Sequence, residues 1–153
     1  MSEEIPYFKQ EAEWTCGAAV MRMVLASFGI HKTEKQLISS LETNKQIGTW
    51  EFELPKLAEK YKLTYFVERN GTIANLRRYL KDGFRIIVCY YIIQDREAHF
   101  AVLHKINTKY IFLHDPWFGK DHKFELPYFR KVWESDPVHE KDKRWFIAIK
   151  NNK

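Results

Sequence analysis

Three runs rich in β-branched and aromatic residues, FRIIVCYYII at 84–93, HFAVLHKI at 99–106 and KYIFLHD at 109–115, follow one another across short polar connections. Such runs read as strands, and the turn at Asn107-Thr108 makes a hairpin of the last two. LTYFVE at 63–68 and RWFIAIK at 144–150 read as further strands. The chain before them is different. CGAAVMRMVLASF at 16–28 is built of helix formers and ends at Gly29, a left-handed stop. Thr33 with Gln36 is a capping box for a helix that reaches about Leu41. A third helix over 54–61 carries Pro55 in its first turn, where the missing donor is harmless. Thr72 caps a fourth, IANLRRYLKD, ended by Gly83, and 126–133 reads as a short fifth. Helices first and an antiparallel sheet afterwards is the α+β class.

No repeat, low-complexity segment or Pro/Gly/Ser-rich linker divides the 153 residues. The expectation is one domain over 1–153, with a helical lobe at 1–62 and a mainly sheet lobe at 63–153. The net charge of +5 comes from 25 basic and 20 acidic residues spread along the chain, which does not suggest a nucleic-acid partner. Basic and aromatic residues mix in WFGKDHKF and YFRKVW, but at 16% aromatic content such neighbours arise from core residues alternating with solvated ones. No apolar stretch approaches the length of a membrane helix, and Cys16 and Cys89 lack the spacing of a disulfide framework. A reduced, cytoplasmic setting is expected.

The stretch QEAEWTCGA at 10–18 raises the question of function. A free cysteine at the head of an apolar run is most often a small core residue. It becomes a nucleophile when something favours its thiolate, and a helix N-terminus does so through unpaired N–H groups and the macrodipole. Cys16 stands at such a place. Gly17 beside it leaves room for a substrate backbone. A cysteine enzyme also needs an imidazole to move the proton and a third group to hold that imidazole. His99 opens one strand of the hairpin and Asp115 ends the other, so the turn returns the aspartate to the histidine. Side-chain alternation sets a condition: they share a face only if the loop has an odd number of residues or a bulge compensates. Gln10 supplies an amide that, with the Cys16 N–H, can stabilise an oxyanion.

Gln10, Cys16-Gly17, His99, Asp115-Pro116 and Gly119 together resemble the signature of the double-glycine-type, bacteriocin-processing cysteine peptidases, family 39 of the papain-like clan. The resemblance covers nearly the whole chain. It implies a papain-like fold with a cleft between the lobes, and neither a metal nor an organic cofactor. Cys16, His99, Asp115 and Gln10 are implied as catalytic residues acting on a peptide or protein substrate, with an acyl-thioenzyme intermediate and cleavage after small residues such as a Gly-Gly leader. An association with a membrane exporter is implied too, since the best-known members are domains of exporters; this chain reads as free-standing or as an excised domain. Thr15 departs from the pattern, because relatives commonly carry Asp before Cys-Gly.

Two rival readings use the same residues: a thiol-dependent amidase, deamidase or acyl transferase, and a non-catalytic peptide-binding domain. Four intact functional positions argue against the second. Trp14 and Trp117 are candidates to line the cleft and to shield the His99–Asp115 bond, with plain packing an equal alternative. Cys89 reads as an inert core residue and Glu97 as a solvated charge. His104, His114 and His122 with Asp121 match no common metal-site spacing and read as satisfied histidines.

Overall fold

The computed structural model describes residues 4–134 and 143–152. Among them run α1 (Cys16–Ser27), α2 (Glu34–Ser40), α3 (Glu53–Lys60), β1 (Thr64–Glu68), α4 (Ile73–Lys81), β2 (Arg85–Ile92), β3 (Glu97–Ile106), β4 (Tyr110–Asp115), β5 (Gly119–Glu125), α5 (Leu126–Val132) and β6 (Phe146–Lys150). All strands pair antiparallel in one sheet, in the order β1-β6-β2-β3-β4-β5. The architecture is α+β, as the sequence predicts.

Local chemistry sets the helix ends. Thr33 Oγ1 accepts from Gln36 N at 3.1 Å while Gln36 Oε1 accepts from Thr33 N at 2.9 Å. Thr72 and Asn75 form the same reciprocal pair at 3.0 Å in each direction. After α1 the chain turns through Gly29 at φ +81°, a conformation a Cβ would oppose. Ile30 N then donates to Leu25 O, satisfying a carbonyl at the helix end.

The sheet is covered on both faces. On one, α1 lays Val20, Val24 and Leu25 against a core that includes Ile87, Phe100 and Val102. On the other, Leu76 of α4 and Phe129 of α5 join Ile86, Val88, Ala101, Leu103 and Leu113. Each such side chain, fully buried, contributes about 1.5–3 kcal/mol. Central strands therefore read as unbroken apolar runs, and the last strand in the chain, FIAIK, lies buried between β1 and β2.

The β3–β4 hairpin meets the alternation condition by a bulge. Ile106 pairs with Ile111 and Lys105 with Phe112 across an even loop, which alone would send His99 and Asp115 to opposite faces. Between Leu103 and Lys105 the register shifts, leaving His104 as the extra residue, and beyond it Leu103 pairs with Leu113 and Val102 with His114. The shift restores phase. His99 and Asp115 thus emerge on one face.

Sequence reasoning missed β5. Its residues, GKDHKFE, are polar and charged because it is the outer strand of the sheet, where charge discourages pairing with another chain. Replacing Thr72 by Ala should remove the acceptor for Asn75 N and lower stability by about 1 kcal/mol, read as a shifted urea midpoint at unchanged slope.

Candidate active site

Cys16 is the first residue of α1 and is half-buried. The Thr15 side chain makes no capping bond to that helix; it is buried and bonds the Ala12 peptide instead, accepting from Ala12 N at 3.1 Å and donating to Ala12 O at 2.9 Å. The first-turn amides are thus left without a side-chain acceptor beside the thiol. Behind the turn, the buried Glu34 carboxylate accepts from Glu11 N at 3.0 and 3.2 Å. Burial raises the Glu34 carboxyl above its usual range, with the bond from Glu11 opposing.

His99 is buried at the start of β3 and places Nε2 2.7 Å from Asp115 Oδ1. The Cys16 thiol acts on the same ring, and Nδ1 is the ring nitrogen that the Asp115 bond leaves for it. Burial pulls the imidazole pKa down, but the bond to Asp115 and the interaction with Cys16 outweigh it and the net shift is upward, from 6.5 to about 10. Asp115 is fully buried. Burial alone would raise its pKa, yet the bond from His99, the charge beside it and the bond from Tyr90 hold it below the ordinary carboxylate value. Oδ1 accepts in addition from Trp117 N at 2.9 Å and Phe118 N at 3.0 Å, while Oδ2 accepts from the Tyr90 hydroxyl. Burial and the adjacent carboxylate push the Tyr90 phenol upward, which keeps it a donor.

Sequence reasoning did not single out Tyr90, which stands opposite His99 in the β2–β3 register with its ring edge-on to the imidazole at 5.6 Å. Period-2 pairing across IIVCYYII would have pointed to it once the register was known. Tyr7 was missed as well; its hydroxyl donates to the Asp115 carbonyl at 2.6 Å.

The remaining expected residues divide. Gln10 lies beside this loop, its N–H donating to Pro116 O at 2.9 Å. Its side-chain Nε2 donates to Ala12 O at 2.7 Å and Glu13 O at 3.2 Å, so in this structure the amide shapes the turn leading to Cys16. Gly17 departs from its expected reason. The space its Cβ would fill is occupied by the Thr49 side chain, so the glycine admits the 44–49 loop rather than leaving room for substrate. Trp117 reaches the site through its backbone N–H, while the residue is 42% exposed; from this turn it is the Phe118 ring that is set against His99, edge-on at 6.2 Å. Trp14 is half-buried, with its carbonyl toward Gly48. Cys89 is buried in the core under α1, and neither cysteine is in a disulfide.

A family model, the peptidase C39 family, matches residues 4–137. The chain belongs to the peptidase C39 family. This C39 peptidase is therefore a cysteine peptidase, a hydrolase. It shares its fold with the peptidase domain of Streptococcus ComA, a bi-functional ABC transporter involved in quorum sensing, at TM-score 0.78 and 20% identity over 97% of this chain and 100% of that one. A double-glycine-motif protease from an AMS/PCAT transporter, solved with a leader peptide, matches at 0.72 and 23% identity over 99% and 94%. A C39-like peptidase from Bacillus anthracis matches at 0.75 and 16% identity over 97% and 96%. No curated protein matches the chain. Among the described residues, no helix of the C39 peptidase is long and apolar enough to cross a membrane.

The pKa shifts fix the sign of a pH dependence. The raised His99 contributes stability that is complete below about pH 6.5 and lost as pH rises through 10. The lowered Asp115 contributes stability that is complete above about pH 3.8 and lost as pH falls through its folded value. The destabilisation caused by His99→Ala should accordingly be larger at pH 6 than at pH 10 in urea titrations. Equal losses at both would contradict the imidazolium assignment.

Proposed function

We propose that this C39 peptidase cleaves a peptide after a small residue, with a Gly-Gly leader as the substrate class, and that Cys16, His99, Asp115 and Gln10 carry the reaction. The observation behind this reading is the His99 ring, whose charge is favoured by the Cys16 thiol on one side and by the buried Asp115, 2.7 Å from Nε2, on the other. The proton that the Cys16 thiol gives up resides on His99 Nδ1, and the sulfur adds to the scissile carbonyl carbon. The oxyanion is met by the Cys16 N–H at the head of α1 and by Gln10 Nε2, which releases its longer bond, 3.2 Å to Glu13 O, to do so. The C–N bond breaks as His99 returns the proton to the amine. Water then adds to the thioester, giving its proton to His99, and the acid departs with the thiol restored. Asp115 holds the ring and stabilises its cation throughout.

Preference for a small residue follows from the walls. Thr49 fills the space at Gly17, a Cβ on Gly48 would meet the Trp14 carbonyl at 3.6 Å, and Phe118 stands edge-on to the imidazole. The two transporter proteases that share this fold, one of them solved with a leader peptide, support a leader-bearing substrate such as a bacteriocin precursor and a link to an exporter. A reduced thiol is required, which fits the cytoplasm.

Peptides with Gly-Gly before the scissile bond should be cut, and Cys16→Ala should abolish cutting; faster cleavage after bulky residues would overturn the specificity. Gln10→Ala should lower kcat by ~10²-fold while leaving the rate of Cys16 alkylation by iodoacetamide nearly unchanged. A parallel fall in both would reduce Gln10 to a loop-shaping residue.

A further inference from the structure

Outside the reaction, Glu4, His104, His114 and Asp121 meet at the bulge of β3. His104 Nε2 is 3.1 Å from Glu4 Oε1, and its Nδ1 is 2.6 Å from Asp121 Oδ1. The rings of His104 and His114 lie 4.2 Å apart, tilted by 33°. His114 is fully buried, with Asp121 N 3.4 Å from its Nδ1. Among the described residues its buried Nε2 has no hydrogen-bond partner of normal geometry, although the Ile5 backbone lies near the ring. A buried polar nitrogen left in this way is destabilising.

One ligand atom each from Glu4, His104 and His114 fall within 4.8 Å of one another. Donors around a tetrahedral Zn2+ are about 3.3 Å apart, so small rotations of the exposed Glu4 and of the two rings close the set. Two imidazoles and a carboxylate suit a first-row divalent cation, with water completing the shell. The bond between His104 Nδ1 and Asp121 is the arrangement that orients a metal-bound imidazole through its other nitrogen. A dication would also meet the two carboxylates and give the orphaned His114 nitrogen a partner.

We propose that Glu4, His104 and His114 form a site for a divalent cation, Zn2+ by its donor set, with Asp121 holding His104 from behind. The site has a structural consequence. It ties residue 4, and the segment running on to Tyr7 and Gln10, to the one bulge that puts His99 and Asp115 in phase.

The test is calorimetric titration of the chelator-treated full chain with ZnCl2, paired with thermal melts, so that neither readout depends on catalysis. Expected are one equivalent bound per chain with a Kd of about 10 μM or tighter, and a higher melting temperature with Zn2+. Glu4→Gln, on the surface, and His104→Gln should each weaken binding by roughly 10-fold or more and reduce the thermal shift. Cys16→Ser should leave the affinity unchanged, which separates this site from the thiol and imidazole of the active site. Absence of stoichiometric binding, full affinity in Glu4→Gln and His104→Gln, or loss of binding in Cys16→Ser would each overturn the proposal.

Discussion

A carboxylate with no solvent exposure is the constraint around which the site is built. Left ionised and unpaired, the Asp115 side chain would cost more than a domain of this size can spare. It is instead met by donors from three places: the Tyr90 hydroxyl on β2, the His99 ring on β3, and the Trp117 and Phe118 amides of the turn that follows it. Satisfying the charge fixes the orientation of each donor, and for His99 that orientation presents the other ring nitrogen to Cys16. Tyr7 adds a bond to the Asp115 carbonyl and Gln10 one to Pro116 O, so the segment ahead of α1 is docked on the same loop. Cys16 and His99 come from distant parts of the sequence, and the buried charge brings them into register.

The head of α1 shows a different balance. A capping side chain there would stabilise the helix by about 1 kcal/mol, and Thr15 is of a suitable type, yet its hydroxyl is turned to the Ala12 peptide. The helix does not depend on the cap because nearly every side chain of CGAAVMRMVLAS is buried against the sheet or its neighbours. Packing energy thereby leaves amide donors available beside the Cys16 sulfur.

Features determined by a few adjacent residues were legible in the sequence: the Thr33 capping box, the Thr72 cap, the Gly29 stop, and the strands 63–68, 84–93 and 99–106. The His99–Asp115 pair was legible with its parity condition attached. Which solution the hairpin takes was not, because both faces of the sheet are covered and apolar residues on either side of β3 accept either register. Only the pairing reveals the bulge at His104. Tyr90 was hidden for a related reason, being one aromatic in a run whose length says only that the strand is central. Gly17 and Gln10 illustrate contacts that no local pattern reports, since Thr49 and the Ala12 and Glu13 carbonyls meet them through the path of the loops. The polar β5 reads as solvated coil until the sheet supplies its partner.

The placement of β6 has a consequence for how the molecule is made. β1 and β2 do not touch each other as sheet neighbours; the strand at 146–150 stands between them, pairing Thr64 with Lys150 on one side and Val88 with Phe146 on the other. As the chain leaves the ribosome, the hairpins from β2 to β5 can close while one edge of β2 still displays unpaired N–H and C=O groups, and β1 waits without a partner. The core beneath α1 stays open for the same interval, because Ile147 and Ile149 are part of it. Assembly of the candidate site is thus coupled to the emergence of β6, and a nascent chain halted short of it would expose a sticky edge rather than a closed sheet.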